Sequence, residues 1–455
     1  MYRRFTSFIL LILVVFTLVT CTSSSPVANL SPSKNDRFRI WWNEGYYPEE
    51  TAVIRQIVSD WQKATGKEVD LTLYSEKDLA REVKNSIERN TPPDVLYSYT
   101  ADFNLIPKLA WQNRLADLSD VILAHKDEFD PQVLTAVKYT NNVTKKRDYY
   151  AVPISRNSIH LHYWKDLLEE AGKDSHNLPK DWQGFWQVWS EAQRVLRQKG
   201  KTNIYGLGLP MSATATDTFF AFEQFLNAYG GQIITDSGKL QISADARQGV
   251  IAALTDYTSW FNNGFVPPKA VDWADPDNNV TFLNKDVIMT ANPTLSIPAS
   301  QRANSKVYQD KLATVEWPNK LDGKPLVNLV AVKQVIVFES SLHKETAKNF
   351  LSYLTRPEIL IKFVKGSQGR FFPVMTSIAK DSFWSDPSDP HISIAVKQLQ
   401  QTRAFNQVLN PAYTEVQAKN VWGKAIRDVV ANQVTPEQAA DKALREIEQI
   451  FANWK

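Results

Sequence analysis

His160 and His162 stand two residues apart in a β-like run, hence on one face, which by type and spacing is half of a zinc site. No third ligand lies nearby in the sequence, so the pair predicts no metal centre. Asp272, Asp275, Asp277 and Asn278 gather in one loop but lack the bidentate Glu and the Gly of a calcium loop. No GxSxG, HExxH or GxxxxGK[ST] occurs, and Gly206-x-Gly208 does not continue to a third glycine. The single cysteine, Cys21, excludes an internal disulfide and a cysteine metal cluster. Aromatic rings set beside Asp, Glu, Asn and Arg suit non-covalent recognition, and the plentiful carboxylates leave acid–base chemistry open. Trp42, Glu44, Tyr46, Tyr99 and Asp102 are the first such group, all at predicted strand ends.

The elements around them alternate. Phe38 to Trp42 is β-like, Val53 to Trp61 has helical period, Val69 to Tyr74 alternates as a strand, Leu79 to Ile87 is helical, and Val95 to Tyr99 is a strand. Such alternation argues for an α/β fold with a parallel sheet, whose ligands sit outside the carboxyl ends of the strands. The loops after Trp42 and Tyr99 are therefore the places to look. Further on, Pro153 cannot donate to a ladder and belongs at a strand end or a crossing. Asp181 caps a helix carrying Trp182, Phe185, Trp186 and Trp189. The last helix has Thr435 as N-cap, Pro436 at N1 and Gln438 at N3, a capping box, and an apolar face that docks it.

At the other end, Arg3 and Arg4 precede an apolar run from Phe5 to Val19, too short for a comfortable transmembrane helix and read as a signal peptide. Without those two arginines the formal charge falls from +3 to +1, a balance that argues against nucleic acid and against a polybasic membrane surface. Residues 22–34 are rich in Ser, Pro and Asn and read as a flexible tether. Fourteen tryptophans exceed what a core of this size needs, so some should face something else.

Taken in order, several segments resemble the sugar-binding branch of the solute-binding proteins of ABC importers, the group containing the maltose-binding proteins. Tyr150-Ala151-Val152-Pro153 is similar to its first crossing between lobes, Lys165-Asp166-Leu167 follows an aromatic strand, and Asn263 to Pro268 matches its Asn-Gly-aromatic-Val-Pro-Pro turn. Leu312 to Trp317 with Pro318 resembles the second crossing, and Gly369 to Pro373 the third. Leu18-Val19-Thr20-Cys21 resembles a lipoprotein box, which implies that Cys21 is the lipidated first residue of the mature chain; the alternative is an ordinary secretory signal with Cys21 near its cleavage site. There are departures: Tyr163-Trp164 stands where the family writes Tyr-Asn, and Pro293-Thr294-Leu295 replaces Gly-x-Trp, removing one expected stacking ring.

The resemblance implies a two-lobed periplasmic-binding-protein type II fold with multiple hinge crossings: signal peptide 1–20, tether 21–35, lobe one 36–153 plus 316–368, lobe two 154–315 plus 369–455. It adds Arg156, Asn157, Asp217, Trp273, Asp275, Asn292, Arg370 and Phe371 to the ligand-binding candidates. It implies a monomeric, lipid-anchored, extracytoplasmic protein without cofactor or enzymatic activity, handing a carbohydrate to permease subunits. Sugar chemistry suits these residue types, since C–H-rich faces want rings and hydroxyl rims want planar polar groups. A polyamine or glycerol phosphate on the same fold is the nearer alternative, which a strongly acidic or basic cleft would reveal. A secreted glycan hydrolase is the further one, requiring two carboxylates about 5 to 9.5 Å apart.

Overall fold

The structure is a computed structural model and describes residues 37–454. The signal peptide, Cys21 and the tether lie outside the described residues.

Strand, helix, strand, helix, strand is what residues 38–97 form. Phe38–Asn43 lies between Val69–Tyr74 and Val95–Tyr97, parallel to both. The helix Pro48–Thr65 starts with proline at its first position, carries Glu49 and Glu50 in its first turn, and stops at Gly66, whose φ of 69° only glycine adopts cheaply. Its apolar stripe of Ile54, Ile57, Val58 and Trp61 is buried against this sheet. The sheet is completed by the long strand Asn328–Val337, antiparallel to Val95–Tyr97 and to Val152–Ser158 and parallel to Thr402–Ala404. Pro153 sits inside Val152–Ser158, where its missing N–H coincides with a register shift opposite Lys333 and Gln334.

A second sheet runs Leu312–Val315, His160–Trp164, Val287–Asn292, Tyr205–Gly208. Its helices include Trp182–Gln198, with Asp181 accepting from Gly184 N, and Pro436–Asn453, with both bonds of the capping box formed. Three buried clusters result, one on each face of the first sheet and one around the second. The fold is therefore the expected two-lobed α/β architecture.

The chain passes between lobes at Ile159, between the two sheet strands Val152–Ser158 and His160–Trp164, and again over residues 316–327. The third passage is not where the resemblance put it. Phe372 exchanges backbone bonds with Arg156, and Met375, Ile378, Trp384, Ile392 and Leu399 all join the core of lobe one. Residues 369–404 thus stay with lobe one, and the passage begins after Ala404, the end of a lobe-one strand: Phe405 joins the core of lobe two while Val408 still packs on lobe one. Apolar content decided this: the segment had a core to join before it reached the gap.

Candidate ligand-binding cleft

Between the two sheets lies a cavity of about 350 Å³, walled by residues from both lobes. Its lobe-one wall is built on the strand ends. Asn43 closes the first strand and its Oδ1 accepts from Tyr99 N at 2.7 Å, tying the first loop to the third strand's loop. Tyr99 Oη donates to Glu50 Oε2 at 2.6 Å and accepts from Tyr46 N at 3.2 Å. Glu50 also takes Arg370 Nη2 at 2.9 Å, with both side chains buried. The Arg370 guanidinium lies over the rings of Phe371, Tyr99 and Tyr46 at 4.3, 4.6 and 5.0 Å. Burial works against its charge, but Glu50 and the tyrosines outweigh it and hold Arg370 more firmly protonated than usual.

Deeper in, Lys333 Nζ donates to Tyr99 O at 2.7 Å and pairs with Asp102 at 3.2 Å. Burial raises the Asp102 carboxyl to about 6 even though Lys333 pulls it down. A run of phenylalanines forms the apolar floor. Phe103 meets Phe220 edge-on at 5.1 Å, and Phe220 stacks on Phe405 at 4.8 Å.

Lobe two contributes the start of the helix Thr216–Ala228 and the end of the strand Val287–Asn292. Asp217 N donates to Asp275 Oδ1 at 3.0 Å, while Asp217 Oδ2 accepts from Asn278 Nδ2 at 3.1 Å. Burial, then the neighbouring Asp275, push the Asp217 carboxyl well above the ordinary range. Asn292 Nδ2 donates to Thr294 O at 2.7 Å and Ser296 Oγ at 3.0 Å, shaping the turn that also lines the cavity. The lobes touch at this turn, where Tyr47 Oη donates to Ser296 O at 3.1 Å.

Of the residues singled out from sequence, Tyr46, Tyr99, Asn157, Asp217, Asp275, Asn292, Arg370 and Phe371 line the cavity. The others do not. Trp42 is 1 % exposed, its ring packed against Tyr97 and Phe363 in the core of lobe one. Trp273 is buried in the core of lobe two. Glu44 is exposed but lies outside the lining, Arg156 is held by Asp130 at 2.7 Å, and Asp102 is spent on Lys333 behind the wall. No tryptophan lines the cavity; its rings are Tyr and Phe. Lys333, Glu76, Phe103, Phe220 and Phe405 were missed. Lys333 had a signal, as the one charged residue in the apolar run Leu329–Phe338.

The departures from the resemblance also find structural reasons. Trp164 stacks on Phe282 at 5.2 Å, donates to Phe282 O at 2.7 Å and carries Lys285 over its face, so it is a packing residue. Leu295, where a stacking ring was expected, is buried against the core of lobe one. His160 and His162 are fully buried, engaged by Gln398 and Thr314. Among the described residues no group of three or more His, Cys, Asp or Glu is placed to hold a metal ion, and no helix is long and apolar enough to cross a membrane.

A cavity at the carboxyl ends of paired sheets, with hinge segments on one side, defines a two-lobed solute-binding fold. Residues 56–392 match the family of bacterial extracellular solute-binding proteins, and the chain belongs to that family, which places it outside the cytoplasm. It is 27 % identical over 241 residues to a binding protein of Brucella abortus (strain 2308), covering 53 % of this chain and 54 % of that one, so the chain spans about half the length of the curated relatives it matches. Among solved structures, an ABC transporter solute-binding protein of Thermotoga lettingae bound with α-D-tagatose superposes with TM-score 0.74 at 21 % identity, over 91 % of this chain and 99 % of that one. A sugar transporter protein of Arthrobacter chlorophenolicus with bound laminaribiose gives 0.72 at 17 %, over 92 % and 100 %. At such identities these likenesses speak for the fold.

Proposed function

We propose that the protein is the substrate-binding lipoprotein of an ABC importer, that it captures a carbohydrate in the cleft between its lobes, and that it delivers the guest unaltered to membrane permease subunits. The observation that carries the reading is the cavity lining: Tyr46, Tyr99, Phe371 and the Phe220–Phe405 stack offer ring faces for C–H-rich sugar faces, with Asn157, Asn292, Asp217 and Arg370 among them for the hydroxyl rim. Bound sugars in structures of the same fold support it.

At about 350 Å³ the cavity is at the small end for ligand sites and suits one or two sugar rings rather than a long chain. Micromolar affinity needs about 8 kcal/mol. Rings contribute about 0.5 to 1.5 kcal/mol each beyond area burial, so the polar groups of both lobes must supply the larger part. They do so only when the lobes are together, which makes the closed state the one the guest favours. Cys21 carries the lipid anchor in this reading, and the protein works as a monomer.

A thermal-shift screen of the leaderless protein over mono- and disaccharides, followed by calorimetry on the hits, tests the reading. Stabilisation by a sugar that is recovered unchanged supports it. No response to any carbohydrate, or turnover of one by the pure protein, ends it.

A further inference from the structure

The charges around the cavity do not balance. Its two cations are already matched: Arg370 by Glu50 at 2.9 Å, and Lys333 by Asp102 at 3.2 Å. Three more carboxylates line the same cavity, Asp217 and Asp275 from lobe two and Glu76 from lobe one, and among the described residues none of the three forms an ion pair. Asp217 and Asp275 are neighbours, the backbone N–H of one donating to the carboxylate of the other at 3.0 Å.

Acceptors in the lining are also left over. Asn157, 4 % exposed, gives its Nδ2 to Pro293 O, while its Oδ1 is buried with no donor. Asn279 Oδ1, beside the same turn, is in the same condition. A buried amide oxygen without a donor costs about 1 to 3 kcal/mol, so a donor brought by a guest is worth that much at this position. The unmatched donor in the lining is Arg370 Nε, in the aromatic wall.

We propose that the guest is an amino sugar, its ammonium received by Asp217, Asp275 and the Asn157 amide oxygen, its hydroxyls by the Arg370 side of the cleft. The inference rests on the carbohydrate reading above and narrows it. An ammonium supplies up to three N–H donors and one positive charge, which is what the acceptor-rich end lacks. A metal ion would meet the charge but not the geometry, because no three suitable ligands converge there. Burial, then Asp275, push the Asp217 carboxyl up with no cation acting on it, whereas burial raises Glu76 against the pull of Lys333 and Arg370, so the unbalanced charge lies on the lobe-two side. Asp217 is buried with Phe220 one turn along the same helix, so a pair made with it forms at reduced dielectric and discriminates more strongly than on the surface, while Asp275 stays open to solvent.

The test is calorimetry on the leaderless protein at pH 6.5 with four probes: the β-1,4 disaccharide of glucosamine, its N,N′-diacetyl counterpart, cellobiose and spermidine. The proposal expects the free-amine disaccharide to bind at least about tenfold tighter than either neutral disaccharide, the factor for one close, partly desolvated charge pair. That preference should shrink in D275N, which alters a solvent-facing side chain, and in D217N, and should fall as KCl is raised. Equal or tighter binding of the neutral disaccharides overturns the amino-sugar inference and leaves the carbohydrate reading standing. Binding of spermidine with no disaccharide bound overturns both.

Discussion

Arg370→Met is the substitution whose consequence follows most directly from the geometry. Arg370 and Glu50 are 2.9 Å apart with side chains only 8 % and 7 % exposed, so neither charge has much water to fall back on. Removing the guanidinium leaves the Glu50 carboxylate with the Tyr99 hydroxyl on Oε2 and nothing on Oε1, which has no partner even in the intact protein. Breaking a buried pair from one side costs about 3 to 5 kcal/mol, and the loss of the ring contacts with Phe371, Tyr99 and Tyr46 acts in the same direction. Replacing both partners, Glu50→Gln with Arg370→Met, removes the stranded charge. That double variant should be more stable than Arg370→Met alone, with a coupling of about 2 kcal/mol or more between the sites. Urea unfolding followed by tryptophan fluorescence, run on all four members of the cycle at pH 7, measures it. An Arg370→Met loss under about 1 kcal/mol, or a double variant whose loss equals the sum of the singles, would show that the pair does not hold the loops as argued.

Three further outcomes follow. Trp42→Ala should cost about 3 to 5 kcal/mol of stability because the ring is fully buried, whereas Tyr46→Ala, at a residue 56 % exposed, should leave urea unfolding within about 1 kcal/mol of the parent and weaken sugar binding severalfold. Tyr47→Phe removes the bond to Ser296 O across the cleft; it should weaken binding by about 0.5 to 1.5 kcal/mol and raise the radius of gyration of the unliganded protein in X-ray scattering. Burial lowers His160 and His391 from 6.5 to about 4. In the window from 6.5 down to 4 the unfolded chain therefore binds protons that the folded one does not, so these two groups give full stability above pH 6.5 and lose it as the pH falls. Imidazole resonances that stay in the neutral position down to pH 5 would agree; titration near 6.5 would contradict it. The buried Asp102, raised to about 6, has the opposite sign and subtracts stability as the pH rises from 3.8 through 6.

Local pattern carried the elements. The strand Val69–Tyr74, the capping box at Thr435 and the helix behind Asp181 were readable because each depends on neighbours in sequence. Position in the cleft depends on something else. Trp42 and Tyr46 sit four residues apart at one strand end, yet the pleat turns the first ring into the core and the loop turns the second into the cavity. Phe220 and Phe405 become a floor only because the chain passage after Ala404 brings residues far apart in sequence into one stack. The aromatic surplus pointed to function, but it is satisfied by two tryptophan-rich cores rather than by tryptophans in the cleft. Residues 369–404 were misplaced because a short motif was weighed above the apolar side chains that follow it.

A crystal structure of the leaderless protein grown with its tightest-binding sugar is the measurement that bears most directly on a guest held between the lobes. The sugar should lie in the 350 Å³ cavity, one side against Tyr46, Tyr99 and Phe371, the other within hydrogen-bond reach of Asp217 and Asn292. A sugar held instead in the larger hollow of about 520 Å³ around Trp317 and Lys397, or on the outer surface of either lobe, would contradict the account.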